Sequence, residues 1–173
     1  MTRSIGNTIA DSLQLSLGYG ERMLTDVTAE QFARLASPGG ETVQSNHAAF
    51  VYGHLSLYAP RILSELNCDA PAVPDSFQQC FSMDAQCVDD AAGTIYPAMD
   101  EVTEHFFNGY RAALEAFRAA DDDIFQQPNP LGGTMAEKFP TVGSVHCFYV
   151  GGHMMIHMGQ VSAWRRMLGL GPA

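Results

Sequence analysis

Apolar residues recur at three- and four-residue steps in four separate stretches of this chain. Nowhere does a run alternate apolar and polar residues as a half-buried strand would, so the pattern predicts an all-α fold. The first stretch, residues 4–24, places Ile5, Ile9, Leu13, Leu17 and Leu24 in one series, with Gly20 on the same line as the mark of a close helix–helix approach. Thr28 and Gln31 fit a capping box that opens a short helix, pinned by Phe32 and Leu35. Ser37-Pro38-Gly39-Gly40 reads as a turn. The second long helix is predicted from Asn46 to Leu66, capped by Ser45 or Asn46, with Phe50, Val51, His54, Leu57, Tyr58 and Arg61 on one face. Pro60 should kink it, because proline has no N–H for the carbonyl of Ser56. The third helix begins near Pro97 and runs to about Ala120, with a stripe of Met99, Val102, Phe106, Tyr110, Ala113, Leu114 and Phe117. The fourth covers about Val142 to Leu168, with Val145, Tyr149, Met155, Ile156 and Trp164 as apolar surface, and ends at Gly169 and Gly171.

The two intervening segments are long. Residues 67–95 carry Pro71, Pro74 and Gly93, and a connection of this length suits a crossover between parallel second and third helices. Phe77, Phe81 and Met83 are expected to pack it onto the surface. Residues 124–141 form a second loop able to lid a site, and Asp121-Asp122-Asp123 before it reads as a solvated turn. The expectation is one domain over residues 1–173, a four-helix bundle with a long crossover between helices 2 and 3.

Charge narrows the function classes. Nineteen acids against nine bases give a formal net charge of −10, and the chain has one lysine, Lys138. Arg165-Arg166 is its dense basic pair. A nucleic-acid binder needs clustered cations to displace counterions from phosphates, so neither nucleic acid nor an anionic membrane is an expected partner. No window of about 18 apolar residues exists to span a bilayer. One early arginine and no long apolar run at the N-terminus predict no signal peptide and a cytoplasmic location. Cys68, Cys80, Cys87 and Cys147 contain no Cys-x2-Cys pair, which argues against a thiolate zinc knuckle. Free thiols are expected there, with a Cys80–Cys87 disulfide as the alternative.

Histidine spacing carries the chemistry. His153 and His157 lie four residues apart, one turn apart on a helix face, within a sleeve of Met154, Met155, Ile156 and Met158. That spacing lets two imidazoles grip one metal ion. Two packed histidines with ordinary hydrogen bonds would have the same spacing. His54 sits mid-stripe on the second helix. His47 and His146 each lie two turns from a candidate ligand, about 10 Å by helix rise, too far to share its ion. His47 is therefore expected at the edge of the site or on the surface. Glu101 and His105, four apart, are expected as a solvated ion pair. Gln160 either bonds a ligand's second ring nitrogen or ties helices together.

Asn46 to Leu55, with Gly53-His54-Leu55 at its end, resembles the second-helix signature of the DinB-like superfamily. His153 to Gln160, His-x3-His-x-Gly-Gln, resembles that family's last-helix signature. The resemblance implies a four-helix bundle with the long crossover, and a divalent metal held by His54, His153 and His157. It also implies a relationship to bacillithiol and mycothiol S-transferases. Many relatives carry a further histidine beside the last ligand. Here that neighbour is Ile156 or Met158, so its role does not carry over.

Three imidazoles leave a divalent ion with an open position, as in catalytic zinc sites. Imidazole suits Zn or Ni first, with Fe and Cu also compatible. Such an ion lowers the pKa of bound water or thiol toward about 7. Tyr58 and Tyr149 are candidate proton donors near the mouth. Three readings stand side by side. One is a metal-dependent thiol transferase or hydrolase acting on a small molecule, such as a low-molecular-weight thiol. The second is a non-catalytic metal-binding stress or detoxification protein. The third is a metal-free helical scaffold. Helical relatives often pair, so a homodimer is also expected.

Overall fold

The computed structural model describes residues 3–173, and among these the regular elements are helices. Helix α1 (Ile5–Met23) starts where the Ser4 hydroxyl accepts the Asn7 N–H, and buries Ile9, Leu13 and Leu17. Gly20 is buried, but a Cβ added there would meet Phe106, Phe107 and Met158 at an ordinary 3.5–3.8 Å, so the expected tight helix crossing is not there. The tightest approach in α1 is at Gly6, where an added Cβ would lie 2.1 Å from the Phe117 carbonyl oxygen. Helix α2 (Ala29–Phe32) opens with the expected Thr28–Gln31 box, and Phe32 and Leu35 are buried below it.

The second long segment is two helices, α3 (Ala48–Ser56) and α4 (Tyr58–Glu65), broken at Leu57. The break falls where Pro60, which lacks an N–H, cannot bond the Ser56 carbonyl. Every residue of α3 is buried, so α3 is an inner rod with no outer face. The cap is neither Ser45 nor Asn46. It is His47, whose Nδ1 accepts the Phe50 N–H at 3.2 Å while Nε2–H donates to the Val88 carbonyl at 3.0 Å. His47 is fully buried, contrary to the expected rim or surface position.

Residues 67–95 are partly ordered by α5 (Asp75–Phe81), which turns Phe77 and Phe81 into the core. Met83 stays 82% exposed and does not pack as expected. The buried Asp90 carboxylate accepts the N–H groups of Thr94, Ile95 and Tyr96, which closes the end of this connection. Helix α6 (Met99–Ala119) follows, with Pro97 lying before its Ala98 cap and not in its first turn. The acidic run is not only a turn: Asp121 stands at the N-cap position of α7 (Asp122–Phe125), where acids face the positive helix end, and Asp122 accepts the Ile5 N–H at 2.8 Å. Helix α8 (Gly133–Lys138) and a single bridge between Pro128 and Thr141 order the second connection.

The fourth segment is continuous but not uniform. Helix α9 (Val142–Cys147) passes into a π-helical stretch, Phe148–His153, and then into α10 (Met154–Met167). The Ser16 hydroxyl donates to the Val150 carbonyl at 2.8 Å, which satisfies an acceptor inside the irregular turn. Met155 and Ile156 face outward, 40% and 63% exposed, contrary to their expected place on the apolar face. Arg165, half of the basic pair, is buried and donates to the carbonyls of Met23, Thr25 and Gly171.

Helix α6 packs against α1, α3 and α4, and α10 packs against α1 and α3. The four cysteines are free, so the Cys80–Cys87 disulfide is absent. Among the described residues no helix is long and apolar enough to cross a membrane.

Candidate metal centre

His54, from buried α3, and His153 and His157, from the start of α10, each bring a ring nitrogen to one point, all within 4.8 Å of one another. The Nε2 atoms of His153 and His157 are 3.2 Å apart. Two nitrogens bound to one tetrahedral ion at about 2.0–2.1 Å are separated by roughly 3.3–3.4 Å. The pair therefore has the spacing a shared ion needs, and the His54 nitrogen lies within 4.8 Å of both. No carboxylate or thiolate belongs to the group, so the donor set is three neutral imidazoles, which suits a borderline divalent cation.

Local structure fixes the orientation of two of the rings. His54 Nδ1–H donates to the Phe81 carbonyl at 2.9 Å, which leaves Nε2 with its lone pair toward the other imidazoles. Gly53 makes that bond possible. A Cβ there would stand 2.4 Å from the Phe81 ring, so only glycine lets α5 approach close enough. His157 Nδ1–H donates to Gln160 Oε1 at 2.9 Å, and the same oxygen accepts from Asn46 Nδ2 at 3.1 Å. Gln160 thus fills both roles considered for it, orienting a ring and tying α10 to the residue before the α3 cap. His153 Nδ1 is buried with no partner, so His153 is the ring without such a support. The π-helical turn ends at His153 and sets its register, and such turns recur at functional sites.

The three rings are poor places for protons. Burial, then the facing His157 and His54, push His153 down to about 3. Burial lowers His54 and His157 as well, against the opposing bonds from Phe81 and Gln160. Near neutral pH the three imidazoles are therefore uncharged, each with one ring nitrogen free of a proton.

A cavity of about 130 Å³ opens on His54 and is lined by Leu57, Tyr58, Arg61, Gln78, Ser82 and Met83. The Tyr58 ring lies 4.5 Å from that of His153 and 5.0 Å from that of Tyr149. Burial raises both phenols, so both keep their protons at neutral pH. Residues 78–83, not the expected 124–141 loop, supply the far wall of this mouth.

The other histidines are engaged elsewhere. His146 is fully buried and pairs through Nε2 with Glu65 at 2.7 Å. His105 sets its ring edge against Phe77 at 4.7 Å, and among the described residues no ion pair joins it to Glu101. Sequence reasoning missed the Phe81 carbonyl, the Asn46 amide and the mouth residues Gln78 and Ser82. Only Gly53, placed beside a candidate ligand, hinted at the first. No protein-family model matches this chain, and no curated protein matches it.

Proposed function

We propose that this protein binds one divalent metal ion, Zn or Ni first among the candidates, through His54, His153 and His157. We propose further that it uses the open side of that centre for thiol transfer or hydrolysis on a small molecule. The observation carrying this reading is the convergence of one ring nitrogen from each of three imidazoles, on separate helical segments, beside a cavity, with no fourth ligand group among the described residues. A divalent cation there supplies Lewis acidity, which lowers the pKa of a water or thiol and makes a nucleophile near pH 7. The chain does the rest. Phe81 and Gln160 hold two rings in the ligating tautomer, an arrangement typical of metal sites. Burial keeps the Tyr58 hydroxyl protonated, and its ring lies 4.5 Å from that of His153, which makes Tyr58 the candidate proton donor.

This reading takes the chain as a DinB-like four-helix bundle with a long second-to-third crossover, cytoplasmic and without nucleic-acid or membrane partners. Helix α10 supports pairing as a homodimer through outward Met155 and Ile156. A fourth protein ligand closing the site would favour a non-catalytic metal-binding role, whereas the cavity at His54 favours the enzyme. Elemental analysis of the purified protein tests the metal. One equivalent per chain, lost in His153→Ala, is expected, and metal-free wild-type protein would overturn the proposal. Turnover with a panel of thiols and electrophiles then tests catalysis.

A further inference from the structure

The lining of the proposed centre's mouth carries one cation, Arg61, and no anion. Three imidazoles bring no negative charge to a divalent ion, and no Asp or Glu lines the cavity. In a chain with nineteen acids and nine bases, that is a local reversal of sign. Four of the other seven arginines are matched, Arg3 to Asp11, Arg34 to Asp89, Arg111 to Glu21 and Arg118 to Glu115, whereas Arg22 lies on the Tyr19 ring and Arg165 and Arg166 bond carbonyls. Among the described residues Arg61 has no carboxylate within ion-pair distance. Glu65, one turn further along α4, is engaged with His146. The bond from Arg61 Nη1 to the Tyr149 hydroxyl is long, at 3.4 Å, well beyond the 2.7–2.9 Å of a charge-assisted bond to an anion. Such a bond is easily exchanged.

The guanidinium lies 5.9 Å from the Tyr58 ring centre, and that ring lies against His153, so one aromatic ring separates Arg61 from the imidazoles. Gln78 and Ser82 offer neutral donors on the opposite wall. A cavity of about 130 Å³ suits a small guest.

We propose that the guest is a small carboxylic acid carrying a second donor several bonds away. Its carboxylate sits on the Arg61 fork, and its second donor, a thiol or hydroxyl, enters the three-histidine centre. This rests on the metal-site reading above and specifies the substrate class for it. Guanidinium matches carboxylate in a bidentate fork, whereas a neutral guest leaves Arg61 with only the Tyr149 hydroxyl.

The test uses full-length protein loaded with Co²⁺, whose absorption reports entry of a thiol, together with calorimetry. The probes are 4-mercaptobutyrate and its neutral amide. Wild type should bind the acid about 10- to 100-fold more tightly than the amide, the strength of one charge-assisted contact. Arg61→Gln should bring the ratio near 1 with Co²⁺ content unchanged, and Arg61→Lys should retain part of the preference. Equal binding of acid and amide by wild type, or an undiminished preference in Arg61→Gln, overturns the inference and leaves the metal site standing. Failure of wild type to bind Co²⁺ overturns both.

Discussion

Replacing Gly53 by alanine adds one methyl group to α3, a change that in an open helix stabilises by about 1 kcal/mol. Here the new Cβ would lie 2.4–2.5 Å from three atoms of the Phe81 ring. Carbon atoms rest at about 3.5–4.0 Å, so the ring has to withdraw by roughly 1 Å or more. Phe81 has little room, because it is fully buried and its ring packs on Phe77 at 5.3 Å, Tyr96 at 5.6 Å and Phe50 at 6.4 Å. Overpacking of this kind costs about 1–3 kcal/mol. Moving Phe81 also lengthens the 2.9 Å bond from His54 Nδ1, worth about 1 kcal/mol and the support for the ligating tautomer. After the helix gain is offset, Gly53→Ala should lose about 1–3 kcal/mol in urea unfolding, and metal affinity should fall about 10- to 100-fold. Gly18→Ala is the control. Its Cβ meets only the Arg22 guanidinium at 3.7 Å, so it should gain about 0.5–1 kcal/mol. A Gly53→Ala protein as stable as wild type, with unchanged metal affinity, would refute the argument that this glycine admits α5 to the site.

Three further outcomes follow from the same geometry. Gln160→Leu removes the acceptor of both His157 and Asn46, so metal affinity should fall about 10- to 100-fold by competition with a chelating dye, with about 1–2 kcal/mol lost in urea unfolding. Glu65→Ala leaves His146 Nε2 buried and unpaired, so it should cost about 1–3 kcal/mol by thermal unfolding while metal content is retained. In metal-free protein the ring pKa of His153 is lowered to about 3 by burial and the neighbouring imidazoles, so the unfolded chain takes the proton first. Stability should be full above about pH 6.5 and decline as pH falls from there toward about 3. The His153→Phe variant should show a smaller decline in urea midpoints over the same range.

The helical stretches were legible because apolar spacing survives any tertiary arrangement. The Thr28 box and the break near Pro60 follow from chemistry local to a few residues. The three-histidine cluster was legible in part, since His-x3-His needs only helix geometry. The arrival of His54 beside it came from a resemblance and not from spacing. What could not be read depends on distant chain. His47 became a cap because Val88, forty-one residues later, takes its other nitrogen. His54 is oriented by the Phe81 carbonyl, twenty-seven residues on. The π-helical turn turns Met155 and Ile156 outward, and neither effect is visible in a 3.6-residue period that assumes an unbroken helix. Gly151-Gly152 was the local sign, since a Cβ on Gly151 would stand 3.3 Å from the Ser12 hydroxyl where α1 crosses the turn.

X-ray absorption on zinc-loaded protein addresses the centre most directly. Three imidazole shells at about 2.0–2.1 Å, plus one light-atom scatterer that is replaced by sulfur when a thiol is added, is the result this account predicts. A fourth imidazole, a protein sulfur in the resting spectrum, or an identical spectrum from His54→Ala would contradict it.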